Sequence, residues 1–239
     1  MPPRPVPAEL FGGRLTDAFL LALEVTGAEH VAQYVRSITF ASPDLVGFEQ
    51  KPGQDLQFQF AGVRRRYTIR RADPLAGTAE IQVELHPAGG PATAWARAVA
   101  PGDRVDAIGP RGKIATRPDA PAHLFIADDS SMPAAFAMLE ALPATTSATA
   151  LLVTAHGADS RPGPAALAPA TLTWLEPAHL AASLEQLELA PATAAYVLGE
   201  LGLVRSAREL LEQAGLSPEA IATKAYWRRD KSNAENGEP

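Results

Sequence analysis

The apolar positions fall into two rhythms along the chain. Up to about residue 110 they come in short stretches rich in β-favouring residues: 19–26, 32–42, 55–60, 65–71, 79–86 and 103–109. Turn signals separate several of them, at Ser42-Pro43-Asp44, Pro52-Gly53, Asp73-Pro74 and Pro101-Gly102. Six such strands predict a small closed antiparallel barrel. One helix interrupts them at 92–100, directly after Gly89-Gly90-Pro91.

From about residue 121 strands and helices alternate. Strands are predicted at 123–128, 148–156, 172–176, 192–200 and 222–227, and helices at 133–142, 178–189 and 204–215. In the last helix Val204, Ala207, Leu210, Leu211 and Ala214 recur at helical spacing and form an apolar stripe. Alternation of this kind implies a parallel sheet with ligands at the carboxyl ends of its strands. The Pro/Ala-rich segment 157–170 reads as a long loop. The fold class is therefore a β-barrel plus α/β architecture, with a barrel domain at 15–118 and an α/β domain with a C-terminal tail at 121–239. Two such halves suit an enzyme that brings two cofactors or substrates face to face.

Composition narrows the functions. The 239 residues are 46% hydrophobic, enough for a sizeable core. A formal net charge of −6 argues against nucleic-acid binding, which draws on a basic surplus. With no cysteine there is no disulfide, thiolate nucleophile, iron–sulfur cluster or zinc–thiolate site. The opening MPPRPVPAELFGG lacks the charged start and apolar run of a signal peptide, and no apolar run reaches the length of a membrane span. A cytoplasmic protein is the expectation.

Against that acidic background, the stretch RRRYTIRRADP (64–74) holds five arginines and one tyrosine. In an extended strand Arg65 and Tyr67 share one face, with Arg66 and Thr68 on the other. A ring beside a guanidinium suits a ligand with an aromatic system and a nearby phosphate; a charge-decorated barrel strand is the other reading. Further on, HPAGGPATAWARAVAPGD (86–103) sets small residues ahead of a helix start, where free N–H groups attract anions. An ordinary turn before a packing helix, with Trp95 in the core, fits those residues equally.

Together with PGDRVDAIGPRGKI, DDSSMPAAFAMLEALP, LGELGLVRSARELL and KAYWRRDKSNAENGEP, these blocks resemble the siderophore-interacting proteins. That family comprises flavin-dependent ferric-siderophore reductases of the ferredoxin-reductase-like superfamily, and the likeness runs in order over nearly the whole chain. It implies an FAD-binding barrel and a nicotinamide-binding-like α/β domain. Arg65, Tyr67 and Thr68 match the family's R-x-Y-T motif, in which tyrosine stacks on the isoalloxazine and arginine meets the FAD phosphates, and Arg70 matches its next basic position. His86, Gly90, Pro91, Ala92, Thr93 and Trp95 match the second FAD segment. Asp128, Asp129, Ser130 and Pro133 fall in the segment on the nicotinamide side, as do Gly199 and Glu200. Three positions depart from the pattern: Ala127 stands for Gly, Asp129 for Glu, and Asp230 for Gly.

The implied activity carries electrons from NADH or NADPH through FAD to a ferric siderophore, releasing iron(II). The cofactor does that chemistry, so no catalytic constellation of side chains is needed. His30, His86, His123, His156 and His179 show no i,i+4 ligand pairing, so no resident metal is expected. Lys224, Trp227 and Arg228 belong to a basic, aromatic tail that would concentrate an anionic chelate; a solvated chain end is the alternative. Asp159 would favour a ribose hydroxyl in the donor and Arg161 a 2′-phosphate, while ferredoxin stands as another donor. A general ferric-chelate, flavin or quinone reductase and a non-catalytic siderophore-binding protein complete the alternatives.

Overall fold

The computed structural model describes residues 4–5, 19–87, 89–156 and 170–229. They fall into two compact units, Met1–Lys113 and Ile114–Pro239.

In the first unit, alternating apolar side chains wrap antiparallel strands around one core. After a two-residue strand β1 (Arg4–Pro5) come β2 (Phe19–Ala32), β3 (Val35–Ala41), β4 (Asp55–Phe60), β5 (Val63–Asp73), β6 (Thr78–Glu84) and β7 (Arg104–Arg111). Their order is β2-β3-β6-β5-β4-β7, and β7 pairs back onto β2 from Phe19↔Gly109 to Glu24↔Arg104. That pairing closes a six-stranded barrel, with β1 added outside on β2. Leu21, Leu23, Ile38, Phe40, Leu56, Phe58, Ile69 and Ile81 fill the interior. Helix α1 (Pro91–Ala98) packs on β3, β4 and β6 and buries Ala92 and Ala96.

Two details depart from the sequence reading. The stretch expected as one strand from residue 32 begins in β2, and Gln33-Tyr34 form the turn into β3. Strand β2 is long because bulges near Val25/Gly27 and His30/Ala32 bend it around the barrel. A turn without Gly or Pro leaves no mark in the pattern. Strand β1 was also unanticipated, since two residues carry no periodicity.

The second unit is a parallel sheet of order β10-β9-β8-β11-β12. Its elements are β8 (Ala122–Asp128), α2 (Met132–Glu140), β9 (Ser147–Val153), β10 (Ala170–Leu175), α3 (Leu180–Glu185), β11 (Thr193–Glu200), α4 (Leu201–Gln213) and β12 (Ile221–Trp227). Both faces of central β8 are covered: Phe125 and Ala127 pack with α2, and Leu124 and Ile126 with α3 and α4. Helix α3 is shorter than expected, because Pro177–His179 form a separate 3₁₀ turn. Helix α4 starts three residues earlier than the apolar stripe, because the Glu200 side chain caps it. The expected loop, with Asp159 and Arg161, lies outside the described residues except for its last residue, Ala170, which opens β10. Among the described residues no helix is long and apolar enough to cross a membrane.

From β8 the chain first builds outward to β9 and β10, then returns to the other side for β11 and β12. The crevice at the carboxyl ends of β8 and β11 is thus a topological switch point, where open parallel sheets bind ligands.

Candidate functional site

In the barrel, β5 is the strand that matters. It pairs with β4 along Val63–Thr68, but with β6 only from Ile69 to Asp73. Among the described residues, the other flank of Val63–Thr68 makes no ladder pairing with β6, which loosens the barrel wall beside the arginine-rich stretch. Arg65 lies opposite Phe58 and Tyr67 opposite Leu56. Residues directly opposite in an antiparallel pair share a face, so Arg65 and Tyr67 point to the side of the core residues. The Tyr67 ring lies 6.1 Å from that of Phe58, tilted by 55°. Burial pushes its phenol up to about 12, against a smaller opposing pull from Arg65, so the hydroxyl stays protonated at neutral pH.

The five arginines divide their work. Arg64 and Arg66 face outward and exposed; with Arg111, whose guanidinium burial and these two neighbours push down, they make a cationic outer face. Arg111 donates to Gln57. A bulge between Ile69 and Arg71 interrupts the alternation, and Arg70 is buried there, as is Thr68. Arg71 lies 3.8 Å from Glu80.

The second segment is a turn that leaves a helix end bare. Gly89 and Gly90 have φ of 75° and 126°, a region that strains other residues. Gly90 caps α1 without a side chain, and Pro91 occupies its first turn. The first-turn N–H groups of Ala92 and Thr93 have no intrahelical acceptor by the geometry of a helix start. His86 is exposed, 3.5 Å from Glu84, and its carbonyl accepts from Gly89 N at 3.0 Å. Trp95 is packing, with ring centroids 4.6 Å from Phe60 and 6.0 Å from Phe58. At the other end of α1, Arg36 of β3 donates to the carbonyls of Ala96 (2.5 Å), Arg97 (2.8 Å) and Val99 (2.9 Å). Sequence reasoning missed Arg36, because nothing local marks an arginine that caps a helix 60 residues away.

A strand flank outside the β6 ladder with an inward Arg–Tyr pair, and a glycine turn running into an uncapped helix, fit FAD in chemistry. The ring offers a surface for a flavin, and the guanidinium and helix start offer donors for a diphosphate.

In the second unit the expected residues meet at the switch crevice, around the buried carboxylate of Asp128. Its Oδ1 accepts from Ser130 Oγ (2.6 Å), Ser131 Oγ (3.0 Å) and Ser131 N (3.1 Å). Its Oδ2 accepts from Glu200 N (2.7 Å) and Trp227 Nε1 (2.9 Å). Gly199, at φ 138°, lies so close that a Cβ there would sit 2.6 Å from the carboxyl carbon. Glu200 Oε2 caps α4 through Gly202 N (2.7 Å) and Leu203 N (3.1 Å). Pro133 is buried in the first turn of α2, and Asp129 is half-buried. Lys224 stands apart, its Nζ 4.7 Å from the centroid of the Tyr226 ring; Arg228 is half-buried. The role of Ser131 was not foreseen, although Asp128, three residues before the N-cap Ser131 of α2, carries the mark of a local cap.

Residues 56–114 match the family described as siderophore-interacting FAD-binding domain, and residues 120–230 match siderophore-interacting protein. The chain belongs to the siderophore-interacting protein family. Among curated relatives, ferric vibriobactin reductase ViuB of Vibrio cholerae is 24% identical over 88% of this chain and 90% of its own length. The mycobactin import ATP-binding/permease protein IrtA of Mycobacterium tuberculosis is 36% identical over 40% of this chain, which spans 11% of that much longer protein. A siderophore utilization protein from T. fusca shares the fold at a TM-score of 0.80 and 26% identity, over 91% of this chain and 96% of its own.

Proposed function

We propose that this protein is an FAD-dependent reductase that passes electrons from NADH or NADPH to ferric siderophores in the cytoplasm, releasing iron(II). The observation that carries the reading is the flank of β5 outside the β6 ladder, where Arg65 and Tyr67 share one face. When bound, FAD supplies the conversion of a two-electron donor into one-electron steps. The protein's own part is binding and orientation. Tyr67 offers its ring with a neutral hydroxyl. Arg65 and the N–H groups of Ala92 and Thr93 hold the diphosphate, and Thr68, Arg70 and His86 frame them. At the other unit, Asp129, Ser130 and Glu200 border the edge that receives the nicotinamide, with Asp128, Pro133 and Gly199 shaping it. Lys224, Trp227 and Arg228 receive the anionic ferric chelate.

Titration of apo-protein with FAD, followed by flavin fluorescence, tests the first step. One FAD should bind per chain, and Arg65→Ala should weaken FAD more than riboflavin, since riboflavin has no phosphate. Equal loss for both ligands would remove Arg65 from the diphosphate.

A further inference from the structure

We propose that Asp128 is a positioning residue that latches the end of β12, holding Trp227 and the arginines after it in place for the ferric chelate. The inference deepens the reading of that edge as the substrate-receiving one, and rests on it.

A carboxylate has about four lone-pair sites, and Asp128 lies within reach of five donor contacts from its own unit, one of them the Ser131 hydroxyl, whose single hydrogen also has the carbonyls of Asp128 and Leu198 in range. The donors come from three elements: the start of α2, the end of β11 and the end of β12. A single buried carboxylate therefore ties together all three chain segments at the switch crevice. Gly199 serves the same end, because only the absence of a side chain lets the carboxylate approach β11 so closely.

Trp227 depends on that bond. Its side chain is not held by burial, at 38% exposure. The ladder between β11 and β12 shifts register after Gly199↔Ala225, which sets Trp227 opposite Glu200. Beyond it, among the described residues, Arg229 N makes a long 3.4 Å contact with Glu200 Oε1. Lys224 is held differently, by its place opposite Leu198 and by the Tyr226 ring. Asp128 should thus govern Trp227 and Arg228 but not Lys224, and this asymmetry makes the proposal testable.

The test uses full-length, FAD-loaded protein, photoreduced without nicotinamide and mixed anaerobically with an anionic ferric tris-catecholate. Each reduced flavin gives up electrons singly and each iron(III) gains one, with iron(II) trapped by ferrozine. Half-saturation and limiting rate are read separately, beside hydrogen exchange of segment 221–229. Trp227→Phe and Asp128→Asn should each raise the half-saturating concentration about tenfold, the scale of the weaker hydrogen bonds to a charged group. The limiting rate should stay within about twofold, and the double variant should be no worse than either single one, as coupled partners require. Lys224→Ala should add its own effect to both. All three latch variants should exchange 221–229 faster than wild type. Trp227→Phe keeps Asp128's other four contacts, so it decides the question even where Asp128→Asn fails to fold. Additive effects of the two changes, or wild-type exchange in Trp227→Phe, would overturn the latch. If wild-type protein yields no iron(II), the substrate reading falls and the functional half of the proposal with it, while exchange still decides whether Asp128 holds β12.

Discussion

Arg36 on β3 donates a 2.9 Å hydrogen bond to the carbonyl of Val99, the residue that closes α1. With its bonds to Ala96 and Arg97, the same guanidinium satisfies three carbonyls at one helix end. It also sets a positive charge against the negative end of the helix dipole, leaving the bare N-terminus to an anion.

Arg36→Met should therefore lower stability by about 2–3 kcal/mol, because it strands carbonyls that had a charged donor. It should also weaken FAD, although Arg36 is placed away from the diphosphate. Denaturant unfolding of apo-protein and FAD titration would check the two effects. Unchanged FAD affinity beside a clear stability loss would show that α1 keeps its position without its cap.

His123 is 2% exposed and stacked 5.8 Å from Tyr196, and burial pushes its imidazole down. A depressed folded-state value means that the unfolded chain takes up a proton which the folded one refuses. The stability this gives is present above the ordinary histidine range near 6.5 and is lost as pH falls below it. Wild-type denaturant midpoints should drop between pH 7.5 and 5.5, and His123→Phe should drop less. Parallel profiles would assign the acid sensitivity to other groups.

The β4–β5 hairpin turns on Ala61-Gly62, with φ of 46° and 82°. Two positive values match a type I′ turn, which favours Asn-Gly. The left-handed region costs an L-residue such as alanine roughly 1–2 kcal/mol. Ala61→Asn should raise stability by about 1 kcal/mol, seen as a higher Tm with FAD affinity unchanged. A lower Tm would mean that the turn prefers its alanine.

These cases mark what the sequence could and could not disclose. Strand and helix types were legible because burial imposes a period of two on β6 and a helical stripe on α4. The Arg65/Tyr67 face was legible for the same reason. The bulge that buries Arg70 was not, since a single slipped residue obeys no period. Nor was the Asp128 cluster: its partners Ser131, Glu200 and Trp227 are 3, 72 and 99 residues away. Resemblance to a family set Asp128 and Glu200 in one functional region, but only the fold shows that one binds the backbone of the other.

The most direct measurement of the central claim is an anaerobic electron count. FAD-loaded protein is bleached with NADH or NADPH, freed of excess donor, and mixed with a ferric siderophore over an iron(II) trap. The account predicts a yellow protein whose flavin bleaches, then recovers its colour as about two iron(II) form per flavin, as electron balance demands of a two-electron carrier. A protein that takes up no FAD, or a reduced flavin that stays bleached before the ferric siderophore, would contradict it.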